Sequence, residues 1–270
     1  MRIIEHVVIG KAQDQSLCED MFYHDSNYIA VIDGASSIQS SFWGDKKSGR
    51  VAAEAVYKTM SQLPTEASAE DAIAILNEGI RQAYGHRLET ASADPHLQMF
   101  ANVILYSANA REIWSFGDCH GRINDQYFTF EKPIDQYLSQ LRCEYLMKLI
   151  NAGQKEDALL AHDPSREYLQ PFLLEELQYA NTSGQWGFDV LNGMQINASN
   201  VRRIPVNSGD EIILATDGYP FVKATLAQSE AALEQLITDD PLMFRIHKST
   251  KGVVPGNRSF DDRTFVRFVV

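Results

Sequence analysis

The chain is poor in the features that announce several common classes of protein. It has only 3 cysteines in 270 residues, Cys18, Cys119 and Cys143. They are too few and too scattered for a disulfide framework and lack the paired spacing of a zinc site, so a reducing, cytoplasmic compartment is expected. Basic charge is also short: 24 Lys and Arg against 36 Asp and Glu leave a formal charge of −12. That balance repels phosphate backbones and anionic lipid, which sets nucleic acid and membranes aside as partners. No apolar run reaches the roughly 18–20 residues of a membrane helix. The opening run Ile3 to Ile9 carries Glu5 and His6, unlike a secretory signal. Internal repeats and low-complexity linkers are missing. So are a Gly-x-x-x-x-Gly-Lys-Ser/Thr loop and a Gly-x-Ser-x-Gly elbow, which argues against nucleotide phosphoryl transfer and serine-based acyl transfer.

What is present is ordinary globular material, 44% hydrophobic and 22% charged, of a length that one domain with insertions accommodates. Strand-like runs occupy roughly 3–9, 27–33, 99–107, 111–117, 120–130, 200–206, 210–216 and 263–269. Helical patterns cover about 47–62, a segment starting at Ser68, and 227–238; in the second, Ile73, Leu76, Ile80 and Ala83 form an apolar stripe. Between about 134 and 180 a helical insert is expected, with Leu138, Leu141, Tyr145 and Leu149 as its buried face and Pro133, Pro164 and Pro171 as punctuation. Runs of strands and runs of helices, without strict alternation, predict an α+β fold in a single domain, 1–270, with helices layered on antiparallel sheets.

Acidic residues stand where strands end or loops begin: Glu19-Asp20, Asp33-Gly34, Gly117-Asp118, Asp217-Gly218 and Asp261-Asp262. One Asp-Gly pair alone reads as a turn. Two of them, each closing an apolar strand, would deliver carboxylates that repel one another unless a cation intervenes. Oxygen donors suit magnesium or manganese, whereas zinc would prefer His and Cys ligands that are not grouped here.

In that order the stations Cys18-Glu19-Asp20, Val31-Ile32-Asp33-Gly34, Phe116-Gly117-Asp118, Ala215-Thr216-Asp217-Gly218 and Asp261-Asp262-Arg263-Thr264 resemble the type 2C, metal-dependent serine/threonine protein phosphatases. The resemblance spans nearly the whole chain. It implies a four-layer α/β/β/α sandwich and two divalent cations, Mn2+ or Mg2+. Asp33 would bridge them; Asp217 and Asp261 would serve the first, Glu19 and the Gly34 carbonyl the second, and Asp20 would hold metal-bound water. Asp118 with Asp217 would form a weaker third site. Asp262 stands where the family usually has Asn, so both residues of that pair are candidate ligands, with Asp261 the expected one. The implied reaction is attack of a metal-bridging hydroxide on phosphoserine or phosphothreonine of a protein substrate, with Asp33 and Asp217 central to catalysis.

Two positions depart from the family pattern. Its phosphate-contacting Arg, four residues before the Glu, is Gln15 here, the expected substrate-binding residue, which can donate hydrogen bonds but lacks a charged bidentate fork; either substrate affinity falls or Lys11 or Arg50 substitutes. After Asp33-Gly34, Ala35-Ser36-Ser37 replaces a common His or Met followed by glycines, and no leaving-group acid is supplied there. These departures motivate an alternative, a catalytically weak or inactive relative that binds a phosphoprotein or regulatory partner. A third reading is an α+β interaction domain whose acidic pairs are only turns. His24, His120, the three tryptophans and Cys119 are read as packing or surface residues.

Overall fold

Alternating apolar runs pair into ten strands in a computed structural model that describes residues 1–36, 40–44 and 46–270. They are β1 (Arg2–Ile9), β2 (Met21–His24), β3 (Tyr28–Ala35), β4 (Phe100–Ser107), β5 (Glu112–Phe116), β6 (His120–Ile123), β7 (Gln126–Phe128), β8 (Arg202–Pro205), β9 (Glu211–Ala215) and β10 (Arg263–Val269). All the ladders are antiparallel, and they build two five-stranded sheets ordered β1-β10-β9-β6-β7 and β2-β3-β4-β5-β8. The helices are α1 (Ser48–Met60), α2 (Ala69–Tyr84), α3 (Leu88–Ala93), α4 (Pro133–Asn151), α5 (Glu156–Ala161), α6 (Ser165–Glu176) and α7 (Leu226–Asp239). The α+β class expected from the sequence is the one observed.

Strand periodicity explains the layers. Successive side chains leave a strand on opposite faces, so Ile29 and Val31 of β3 join Ile104, Tyr106, Leu214, Val266 and Phe268 between the sheets. Ala30 and Ile32 emerge on the other face and pack with Val56 of α1 and Ile73, Leu76 and Ile80 of α2. On the far side, Ile213 and Phe265 meet Leu233 and Leu236 of α7. Ser68 caps α2 by accepting a hydrogen bond from Asp71 N, the start signal read from the sequence. Among the described residues no helix is long and apolar enough to cross a membrane.

Several local expectations change. The strand expected over 120–130 is the hairpin β6–β7, turned at Asn124 with φ +52°. The short β2, half-covered, has no apolar alternation long enough to announce it. Ala83 is exposed, and Tyr84 takes the last buried place on α2. The insert is three helices, and Pro171 lies inside α6 rather than ending it, at the loss of one backbone hydrogen bond. The buried face of α4 contains Leu138, Arg142, Cys143 and Leu146, so an arginine occupies the centre of the expected apolar stripe.

Candidate metal centre

The inward-facing rows of both sheets turn polar at one end of the sandwich. On β3 the row Ile29, Val31 continues to Asp33, and the register pairs Asp33 with Asn102 of β4, which precedes Ile104 and Tyr106 in the matching row. Asn102 Nδ2 donates to Asp33 Oδ2 at 3.0 Å. On β10 Thr264 precedes Val266 and Phe268; beyond β9 Thr216 follows Ile212 and Leu214. Both threonine hydroxyls donate to Asp20 Oδ2, at 2.7 Å from Thr216 and 3.1 Å from Thr264. Thr216 Oγ1 also accepts from Thr264 N at 2.8 Å. Period two therefore places an Asp, an Asn and two Thr at the same depth, and residues more than 200 positions apart share one polar cap.

The glycines after Asp33, which lies inside β3 rather than at its end, and after Asp217, just beyond β9, are contact points rather than turn formers. A Cβ at Gly34 would lie 2.3 Å from the Gly49 carbonyl and 2.7 Å from that of Glu19; one at Gly218 would lie 2.0 Å from the Asp262 carbonyl. Only glycine lets these backbones approach. Gly34 thereby holds β3 against α1 and the Glu19 segment, and Gly218 holds the Asp217 loop against the Asp261-Asp262 segment.

The remaining carboxylates arrive on loops. Asp262 accepts from Lys11 N (Oδ1, 2.7 Å) and Glu19 N (Oδ2, 3.1 Å), so both of its oxygens tie down the segment that carries Glu19 and Asp20. Asp261 Oδ1 accepts from Lys11 Nζ at 2.8 Å, and its other oxygen is paired with Lys251. Glu19 accepts from Ser36 Oγ and lies 3.3 Å from Lys47 Nζ. Asp118 is paired with Lys132 at 2.7 Å. Gln15 is turned to the backbone beside it: its Oε1 accepts from Gly10 N at 2.9 Å and its Nε2 donates to the Val8 carbonyl. Arg50 donates to the Cys18 carbonyl and to Glu54. Of the two cationic substitutes for Gln15 considered from the sequence, Lys11 is the one whose charged end reaches the carboxylates. Ser37 lies outside the described residues.

Titration follows from this crowding. Burial, then the charges of Asp118 and Asp261, push Asp33 up to about 7, against the pull of Asn102 and Lys132. Asp20 is raised well above the usual carboxylate range by burial and by Asp33. Asp217 is raised too, by desolvation and by Asp33, Asp261 and Asp118; because it keeps an exposed side chain, the neighbouring carboxylates are the cause its position supports. Asp261 behaves oppositely. Burial opposes its ionisation, but Lys251 and Lys11 hold it below the usual range.

The donor set fits a hard divalent cation. Asp20 Oδ1 and Asp118 Oδ1 are buried without a hydrogen-bond partner, as is Asn102 Oδ1, and buried acceptors in that condition call for a cation or water. Among the described residues no three His, Cys, Asp or Glu side chains are closed into a chelating arrangement, and lysine ammonium groups sit on Asp261, Glu19 and Asp118.

Sequence reasoning passed over Asn102, Thr216, Thr264, Lys132 and Lys251. Asn102 was detectable as the polar interruption of the apolar run Phe100 to Tyr106, and the threonines as neighbours of Asp217 and Asp262. Nothing local marked the two lysines. His120, read as structural, is buried between Tyr127 and the Thr216 carbonyl and pushed down to about 4 by burial.

No protein-family model matches the chain, and no curated protein matches it. Solved structures similar along the whole chain include serine/threonine phosphatases. The PstP/Ppp enzyme of Mycobacterium tuberculosis is 15% identical, with 98% of this chain and 97% of that one covered and a TM-score of 0.45. The PstP catalytic domain in complex with 2 manganese ions is 16% identical, with both chains covered fully and a TM-score of 0.47. Stp1 from Staphylococcus aureus is 14% identical, covers 98% and 94%, and has a TM-score of 0.46.

Proposed function

We propose that this chain is a metal-dependent phosphomonoester hydrolase acting on phosphoserine and phosphothreonine in cytoplasmic proteins. Glu19, Asp20, Asp33, the Gly34 carbonyl, Asp217 and Asp261 would hold two divalent ions, manganese or magnesium. The observation that carries this reading is the Asp20 carboxylate. Two threonine hydroxyls fix its Oδ2, while its Oδ1 is buried and unpartnered among like charges.

Divalent ions bound here supply neutralising charge and activate water near neutral pH. The chain's own part is positional. Asn102 orients Asp33, the threonine pair orients Asp20, and Asp262 clamps the backbone of Lys11 and Glu19 so that the Glu19-Asp20 segment cannot drift. Asp33 titrates near 7 without a cation, so cation binding and loss of its proton are coupled. Two ammonium groups, Lys11 and Lys251, stand beside Asp261. The insert α4–α6 and the loops near 181–198 are the parts without family motifs and would select the phosphoprotein.

The test is hydrolysis of p-nitrophenyl phosphate and of phosphopeptides with added Mn2+. Turnover that chelator abolishes, and that Asp33→Asn and Asp217→Asn each reduce by roughly a thousandfold, is expected. Chelator-resistant turnover refutes the reading. The spent amide of Gln15 favours the second reading, a phosphoprotein-binding module; Mn2+ binding with no turnover on either substrate would establish it.

A further inference from the structure

Asp118 stands with Asp33 and Asp217 at the carboxylate end of the sandwich, yet its surroundings differ from theirs. Lys132 Nζ lies 2.7 Å from Asp118 Oδ2, and the two side chains are only 14% and 9% exposed. Lys132 immediately precedes Pro133, the first residue of α4, and its extended backbone at that helix boundary is held by the insert. A second carboxylate, Asp135, is 3.7 Å from the same ammonium, and the Phe188 ring covers it at 5.1 Å. The ammonium therefore has two anionic partners and an aromatic face, and it is more enclosed than Lys11 and Lys251 beside Asp261, whose side chains are 22% and 34% exposed and carry no ring over the charge among the described residues. A divalent ion binding Asp118 would meet a fixed positive charge on the same carboxylate.

We infer that Lys132 is the resident cation of the Asp118 station: its ammonium takes the place of a third metal ion, so that this chain binds two divalent ions and not three. The inference rests on the two-ion reading above. Asp118 keeps a second oxygen for the centre, because its buried Oδ1 has no protein partner and can accept a hydrogen bond from water at the cluster. The helical insert thereby contributes a charge to the centre as well as a surface around it.

Mn2+ titration of the full chain, by calorimetry and by electron paramagnetic resonance of free Mn2+, reads the stoichiometry directly. Two ions are expected in the wild type and a third, weaker one in Lys132→Met. Lys132→Arg, which keeps a positive charge on Asp118, should leave the stoichiometry at two, a comparison that holds even if Lys132→Met fails to fold. A third wild-type ion that Asp118→Asn removes would overturn the inference while leaving the two-ion reading standing. So would a folded Lys132→Met that still binds two ions at millimolar Mn2+. A wild type that binds no ion refutes the parent reading and this one with it.

Discussion

Replacing Asp33 with Asn should make the cation-free protein more stable at alkaline pH, although it removes the central acid of the site. The folded Asp33 titrates near 7 against an ordinary value of 3.8. Below about pH 4 the carboxyl is protonated in both folded and unfolded chains and costs nothing. Between pH 4 and 7 the unfolded chain loses the proton and the folded one keeps it, so stability falls; above pH 7 the full penalty applies. At about 1.4 kcal/mol per pH unit, the upper bound is about 4 kcal/mol. Water reaching the half-buried side chain screens the charge, and about 2 kcal/mol is the working expectation. For a domain of this size that corresponds to a rise in Tm of roughly 4–8 °C.

Asn has the same shape and can still accept from Asn102 Nδ2. Thermal unfolding in chelator, followed from pH 4 to pH 9, should show the two proteins converging at pH 4 and the variant ahead at pH 8. Saturating Mn2+ should invert the order, since a ligand at 100 times its Kd stabilises the wild type by about 2.7 kcal/mol and the variant binds it poorly. A variant less stable than wild type at pH 8 in chelator, or a difference that does not change with pH, would refute this account of the carboxylate cluster.

The other expectations concern single contacts. Arg142, fully buried, donates to Ser165 Oγ, to the carbonyls of Leu242, Met243 and Ser249, and to Asp163. Arg142→Met should cost about 3–5 kcal/mol in urea unfolding by stranding those acceptors, and a loss under 1 kcal/mol would contradict the hub assignment. Asp261→Asn should weaken Mn2+ binding at least tenfold in calorimetry. Asp262→Ala should instead lower stability by about 2–4 kcal/mol through the freed Lys11 and Glu19 amides; tighter dependence of Mn2+ binding on Asp262 than on Asp261 would reverse the two roles. Gln15→Ala should leave the KM for p-nitrophenyl phosphate within twofold, because its amide is committed to Gly10 and Val8; a tenfold rise would place it on the substrate.

Much of this molecule was legible along the chain because the relevant physics is local. Alternation over Tyr28 to Asp33 sets which side chains share a face, the Ser68 cap and the stripe from Ile73 to Ile80 define α2, and Asp-Gly after an apolar run marks where a carboxylate leaves a strand beside a close backbone approach. The α+β class and the list of acidic positions follow from such near-neighbour patterns. Which cation sits on which carboxylate does not. Lys11 meets Asp261 across 250 positions, Lys251 reaches it from a loop, and Lys132 meets Asp118 only because α4 begins where it does. Gln15 faces away for the same kind of reason, its partners being supplied by the path of β1. Arg142 broke an apolar stripe because a loop a hundred residues later offers its carbonyls. Those pairings depend on how two sheets register and close. Charge and hydrogen bonding act through space between segments that the linear order leaves apart, and tertiary structure alone decides them.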